Sequence, residues 1–159
     1  MSVWSNLMYR LGVLLRVVRQ PNKSARQAEE YETARREFHQ QRERLEARFF
    51  QLASGSGKPR GLRWTECDFE NDVTYARDKQ SGELCAFVAV TIAFEAIEGG
   101  LMEGVEAVGN LRAASAVFRR QQGVWHTDGR AVFNLSPSEA ISHYRDNLVM
   151  VAHEPARAG

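Results

Sequence analysis

Apolar residues in the first twenty positions recur at three- and four-residue steps: Trp4, Leu7, Met8, Leu11, Leu14, Leu15 and Val18. That spacing predicts an amphipathic helix over residues 1–22, with Arg10, Arg16 and Arg19 largely off its apolar face. Pro21 marks its end, because the residue before a proline is pushed out of the helical region. From Ser24 to Ala53 there is neither glycine nor proline, and Tyr31, Ala34, Phe38, Leu45, Phe49 and Leu52 form a thin stripe. The pattern predicts a charged helix over 24–53, with Ser24 as N-cap and Gln27 at capping-box spacing. Gln41 and Arg48 interrupt the stripe where a coiled-coil seam would place leucine; the C-terminal half, with Phe49 and Phe50, is expected to pack on the following sheet, and the N-terminal half to stand free or pair with a second copy. "SGSGKPRG" (54–61) reads as a linker.

At Leu62 the period changes to two. "LRWTECDF" reads as a strand, and residues 72–97 read as a hairpin turning at Gln80–Ser81–Gly82. In its second arm Leu84, Ala86, Val88, Val90, Ile92 and Phe94 share one face, while Cys85, Phe87, Ala89, Thr91 and Ala93 share the other. Both faces are short of charge, which predicts a central strand covered on two sides for part of its length. Residues 101–121 are expected as one strand bent at Gly104 and Gly109, and residues 124–135 as the last strand. "SPSEAISHYRDNLVMV" predicts a closing helix, with Ser136 at the N-cap, Pro137 at the first position and Glu139 at the third.

These elements define an α+β chain: N-terminal helices over 1–22 and 24–53, then a body over 62–152 made of a curved antiparallel meander of four to five strands and a C-terminal helix. Residues 153–159 are left as a flexible tail. By analogy of architecture alone, the arrangement resembles cystatin-like or NTF2-like shapes, and shape does not supply function.

Charge changes this picture locally rather than globally. The chain of 159 residues has a net charge of +1, so no overall field points to nucleic acid or lipid. Residues 1–28, however, hold five bases and no acid, whereas residues 61–152 hold thirteen acids against eight bases. A basic amphipathic arm on an acidic body suggests docking to a membrane surface, to a protein partner or to a second copy of the chain. The same stretch, Arg-bearing and acid-free, also fits an organellar transit peptide. No run approaches the ~20 apolar residues of a membrane span, and no secretory cleavage pattern follows the arm. The expected location is therefore cytoplasmic or peripheral to a membrane.

Candidate chemistry is sparse. "GSGK" fails as a phosphate loop, because Pro59 follows the lysine and a helix rather than a strand precedes it. Glu66, Asp68, Glu70 and Asp72 alternate, but the calcium-loop pattern is not met. His39, His126, His143 and His153 show no zinc spacing, so neither a metal nor a cofactor is expected. Cys67 and Cys85 lie in no nucleophile motif. Arg63, Trp64, Arg119, Arg120, Trp125 and Arg130 could stack and pair with bases, but the acidic body argues against nucleic acid. The densest polar cluster is "GVWHTDGR". Trp125, His126, Asp128 and Arg130, with Tyr75 across the sheet, are the candidate ligand-binding residues of a pocket in the curved sheet. The absence of a complete catalytic motif favours a non-enzymatic interaction or scaffold protein, with a small-molecule-binding domain or small enzyme as the alternative.

Overall fold

The structure, a computed structural model, describes residues 22–158. The helix expected over 1–22, with its apolar face and Arg10, Arg16 and Arg19, lies outside the described residues. The chain divides into two units, residues 1–31 and 32–159. In the first, Asn22 rather than Ser24 caps helix α1 (Lys23–Gly55), its Oδ1 accepting from Ala25 N at 2.8 Å. Asn is as good a cap as Ser, and it directly follows the proline that breaks the chain.

The second unit is α+β, built on an open antiparallel sheet of seven strands. They are β1 (Leu62–Phe69), β2 (Val73–Asp78), β3 (Leu84–Ala96), β4 (Arg112–Gln121), β5 (Val124–His126), β6 (Ala131–Phe133) and β7 (Leu148–Glu154). The order is β5-β4-β3-β2-β7. The long central β3 carries β2 along its first half and β1 along its second, while β4 lines its other edge. A second helix, α2 (Pro137–His143), precedes β7.

Both faces of the first half of β3 are buried, as its composition predicts. Leu84, Ala86, Val88, Val90, Ile92 and Phe94 face α1 and are at most 7% exposed. The α1 stripe seen in the structure is Ala34, Phe38, Leu45, Phe49 and Ala53. Phe38 packs edge-on against Trp125 (5.1 Å between centroids) and Phe118 (5.4 Å), and Phe49 against Phe69 (5.7 Å). Such edge contacts align each ring's positive rim with a neighbour's negative face and add to plain burial. The opposite face holds a smaller core of Ala76, Cys85, Phe87, Val117, Val132, Ala140 and Ile141, which α2 covers.

Three expectations need correction. Residues 101–121 are not one bent strand: β4 begins at Arg112, and residues 98–110 form a loop with a single 3-10 turn at Glu106–Gly109. Gly99 and Gly104 sit there at φ of 72° and 78°, so these glycines serve turns rather than bulges. The expected last strand is two short ones, β5 and β6, separated by Thr127–Arg130. The closing helix has its expected capping box, Ser136 Oγ accepting from Glu139 N (3.4 Å) and Glu139 Oε2 from Ser136 N (2.8 Å). It ends at His143, however, and residues 148–154 form a further strand. The apolar run Leu148–Val151, with β-branched Val149 and Val151, suits a strand, and the β2 edge offers it a row of unpaired backbone groups. The sheet thus has more than the four to five strands expected, and regular pairing continues beyond residue 152.

The last residue of β7 is tied back to α1. Glu154 accepts from Arg35 Nη1 at 2.7 Å and pairs with His39 Nε2. Burial alone would raise its carboxyl pKa, but the bonds from Arg35 and His39 outweigh it and hold the group below the ordinary carboxylate range. A carboxyl whose folded pKa is depressed stabilises the fold above its unfolded pKa, and that stability is lost as pH falls through the folded value. Denaturant unfolding followed from neutral pH to below about pH 4 is therefore expected to show a loss of stability that is smaller in Glu154→Gln. An identical acid profile in the variant would remove Glu154 from this role.

Candidate functional site

The register sends neighbouring candidate residues to opposite faces. Trp125 and His126 are adjacent in β5, paired with Arg120 and Arg119 of β4. Trp125 turns toward α1, is 1% exposed, and its Nε1 donates to Ala34 O at 2.8 Å. Tyr75, fully buried, lies in the same aromatic layer (6.1 Å from Phe38, 6.5 Å from Trp125). Side chains therefore fill the face of the sheet under α1, and Trp125 and Tyr75 belong to that filling. His126 points the other way, beside Arg119, with its Nε2 buried and without a hydrogen-bond partner.

The segment after His126 is shaped by turn chemistry. Thr127 Oγ1 donates to Val117 O (3.0 Å) and accepts from Gly129 N (3.1 Å), while Asp128 Oδ1 accepts from Arg130 N (3.1 Å). Gly129 has φ of 79° and passes so close to the end of α1 that a Cβ there would meet Ala53 N at 2.8 Å. Asp128 is exposed, and its carboxylate serves this local turn. Arg130 leaves the turn with its guanidinium 5.0 Å above the Tyr144 ring.

Arg130 thereby reaches a cavity of about 170 Å³ on the sheet face that α2 covers. Cys85 and Phe87 of β3, Val117 of β4, Val132 of β6 and Leu148 of β7 supply apolar walls. Asp78, Arg119, Arg130, Tyr144 and Asn147 supply the polar ones. Arg119 Nε is buried with no hydrogen-bond partner. Asp78 lies at the end of β2, where its Oδ1 accepts from the backbone N–H groups of Gln80 and Ser81, both at 2.8 Å. The Ser81 N–H is the main cause that holds its carboxyl below the usual range, with burial opposing and the charge of Arg119 assisting. The Cys85 thiol is pushed up, mainly by burial and against the nearby Arg119 charge. Cys67, on β1, is pushed up to about 12 by burial. Neither thiol carries the depressed pKa of an activated nucleophile.

Of the candidate residues, the structure brings Arg130 to this cavity and places His126 beside its Arg119 wall. Asp128 sits at a separate rim, and Trp125 and Tyr75 lie across the sheet. Arg119 enters the sequence reading only as a nucleic-acid candidate. Its signal is there: alternation along 113–119 puts it on one face with Ala113, Ser115 and Val117, a cation at the end of a small, nearly apolar row. Asp78, Tyr144 and Asn147 carry no such mark, since only the β2–β7 pairing gathers them.

An open groove along α1 is lined by Arg35, Arg36, His39, Gln40, Arg42, Asn71, Glu154, Pro155 and Arg157. Much of its charge is spoken for: Arg35 by Glu154 and Glu32, and Arg42 by Glu46 and the carbonyls of Glu70 and Asn71. The acids of "ECDFEND" do not converge, and among the described residues no group of three or more His, Cys, Asp or Glu side chains is arranged to hold a metal ion. Among the described residues no helix is long and apolar enough to cross a membrane.

Fold and site together define the class: an α+β protein with an open antiparallel sheet and a small, arginine-walled cavity on its second face. No family model, curated protein or solved structure matches the chain.

Proposed function

We propose that the body is a small-molecule-binding domain whose ligand occupies the cavity between the sheet and the turn after α2. The observation that carries this reading is the wall composition: apolar side chains together with two arginines, one with a buried Nε that lacks a protein partner. A buried donor left unpaired costs about 1–3 kcal/mol, and a ligand acceptor would recover that cost. Filling the cavity tests the reading. In a thermal-shift screen of small polar metabolites, hits on the wild type are expected to vanish in Val132→Phe, with its circular dichroism unchanged. Hits that persist in the filled variant would place the ligand elsewhere.

A second reading, docking through residues 1–22 onto an anionic membrane surface or a partner, is favoured by the acid-free charge of residues 1–28. The edge strand β7 adds an apolar run, with Val149 49%, Met150 44% and Val151 38% exposed, that suits pairing with a second copy. Removal of residues 1–22 is expected to abolish co-sedimentation with phosphatidylserine vesicles or to lower the mass seen by light scattering. A truncated chain unchanged in both would dispose of this reading.

A further inference from the structure

We propose that the cavity selects a small aliphatic monocarboxylate of about six to eight non-hydrogen atoms, gripped by Arg119 and Arg130. The size follows from volume: an apolar cavity of about 150 Å³ admits benzene, and this one is about 170 Å³. The inference rests on the cavity being a ligand site and adds the ligand's chemistry.

Three observations set that chemistry. First, among the described residues neither the Arg119 nor the Arg130 guanidinium forms an ion pair, although other arginines of the body do. A planar guanidinium offers paired N–H donors that match the two oxygens of a carboxylate. The Arg130 guanidinium carbon lies 5.0 Å from the centroid of the Tyr144 ring, a cation–π contact that uses the ring face and none of the hydrogen-bonding capacity of its N–H groups.

Second, the charge count favours one negative charge rather than two. Two guanidiniums and the Asp78 carboxylate leave the wall with a net single positive charge. A second charge on the ligand would face Asp78, and Asn147 is the one side-chain amide among the lining residues. Inorganic phosphate carries more than one negative charge near neutral pH, and the excess would face the Asp78 carboxylate, a like-charge contact that a monocarboxylate avoids.

Third, Cys85, Phe87, Val117, Val132 and Leu148 offer no polar side-chain atom except a thiol held protonated by burial. They suit a short hydrocarbon tail.

Calorimetric titration of the full chain with isovalerate, its neutral amide and inorganic phosphate tests the assignment. Isovalerate is expected to bind, with the amide and phosphate each at least about ten-fold weaker. Arg119→Gln and Arg130→Gln should each weaken isovalerate by about ten-fold or more, while leaving the weak binding of the amide unchanged. Arg130 is exposed, so its variant keeps the assay valid if Arg119→Gln fails to fold. Equal affinity for acid and amide, both lost in Val132→Phe, would overturn the carboxylate assignment while sustaining the cavity as a site. Phosphate binding more tightly than isovalerate would overturn it in the same way. Binding of none of the three, together with screening hits that survive in Val132→Phe, would overturn both.

Discussion

Trp125→Ala is expected to lower the stability of the body by about 3–5 kcal/mol, the usual cost of emptying a buried aromatic site. Trp125 is 1% exposed, lies 5.1 Å from Phe38 and 6.5 Å from Tyr75 between ring centroids, and donates Nε1–H to Ala34 O at 2.8 Å. Its removal takes away the contact that ties β5 to α1 and leaves a hole among close-packed rings, which relax only in part. Val124→Ala, at the 59% exposed neighbour, serves as control and should cost about 0.5 kcal/mol or less. Urea unfolding of both variants checks this. A Trp125→Ala loss below about 1 kcal/mol would mean that the residue is not part of the core. Should the variant fail to fold at all, Trp125→Phe keeps one ring among these contacts while removing the hydrogen bond and part of the indole volume, at an expected cost of about 1–3 kcal/mol.

Gly129→Ala is the second large effect, expected at about 2–4 kcal/mol from two sources that add. At φ of 79° any side chain is strained, and here the new Cβ would also lie 2.8 Å from Ala53 N and 2.8 Å from Leu52 Cβ, so the end of α1 would have to shift. Gly82, at φ of 77° with nothing within 4 Å, isolates the first source. Gly82→Ala should cost only the backbone strain, about 1 kcal/mol. If the two alanine variants unfold at the same urea concentration, the close approach of the Thr127–Arg130 turn to α1 is not real.

These two residues show where local pattern ends. The four-residue steps from Ala34 to Phe38 and from Leu45 to Phe49 are local facts, and so the α1 stripe is legible from spacing. The Ser136–Glu139 capping box is equally local, because its bonds close within four residues. Trp125 is different: nothing within ten residues explains an indole there, which invites a functional reading. Its partner, Ala34 O, lies 91 residues away. Strand β7 escapes for a related reason. Ile141, Tyr144, Leu148 and Val151 fit a helical period, and only the demand of the β2 edge for a partner turns 148–154 into a strand. The cavity inherits that difficulty. Its apolar walls come from alternation that can be read along β3 and β4, whereas Tyr144, Asn147 and Leu148 arrive only through the unforeseen strand.

The same comparison separates the polar cluster at 125–130 into parts. Trp125 is core, Asp128 and Gly129 are turn, and Arg130 alone reaches the cavity. His126 stands beside Arg119 with an unpartnered Nε2. Of that cluster, then, only Arg130 belongs to the proposed binding cavity, which lies across the sheet from Trp125.

The most direct test is a nuclear magnetic resonance titration of the full chain with isovalerate and its amide, following the Arg119 Nε–H resonance and the backbone amides. A ligand in the cavity should shift Arg119 Nε–H and the amides of Val117, Val132 and Asn147 in a saturable manner, while those of Ala34 and Phe38 stay in place. A spectrum unchanged by either compound, or shifts centred on the aromatic layer under α1, would contradict the assignment of this cavity as the binding site.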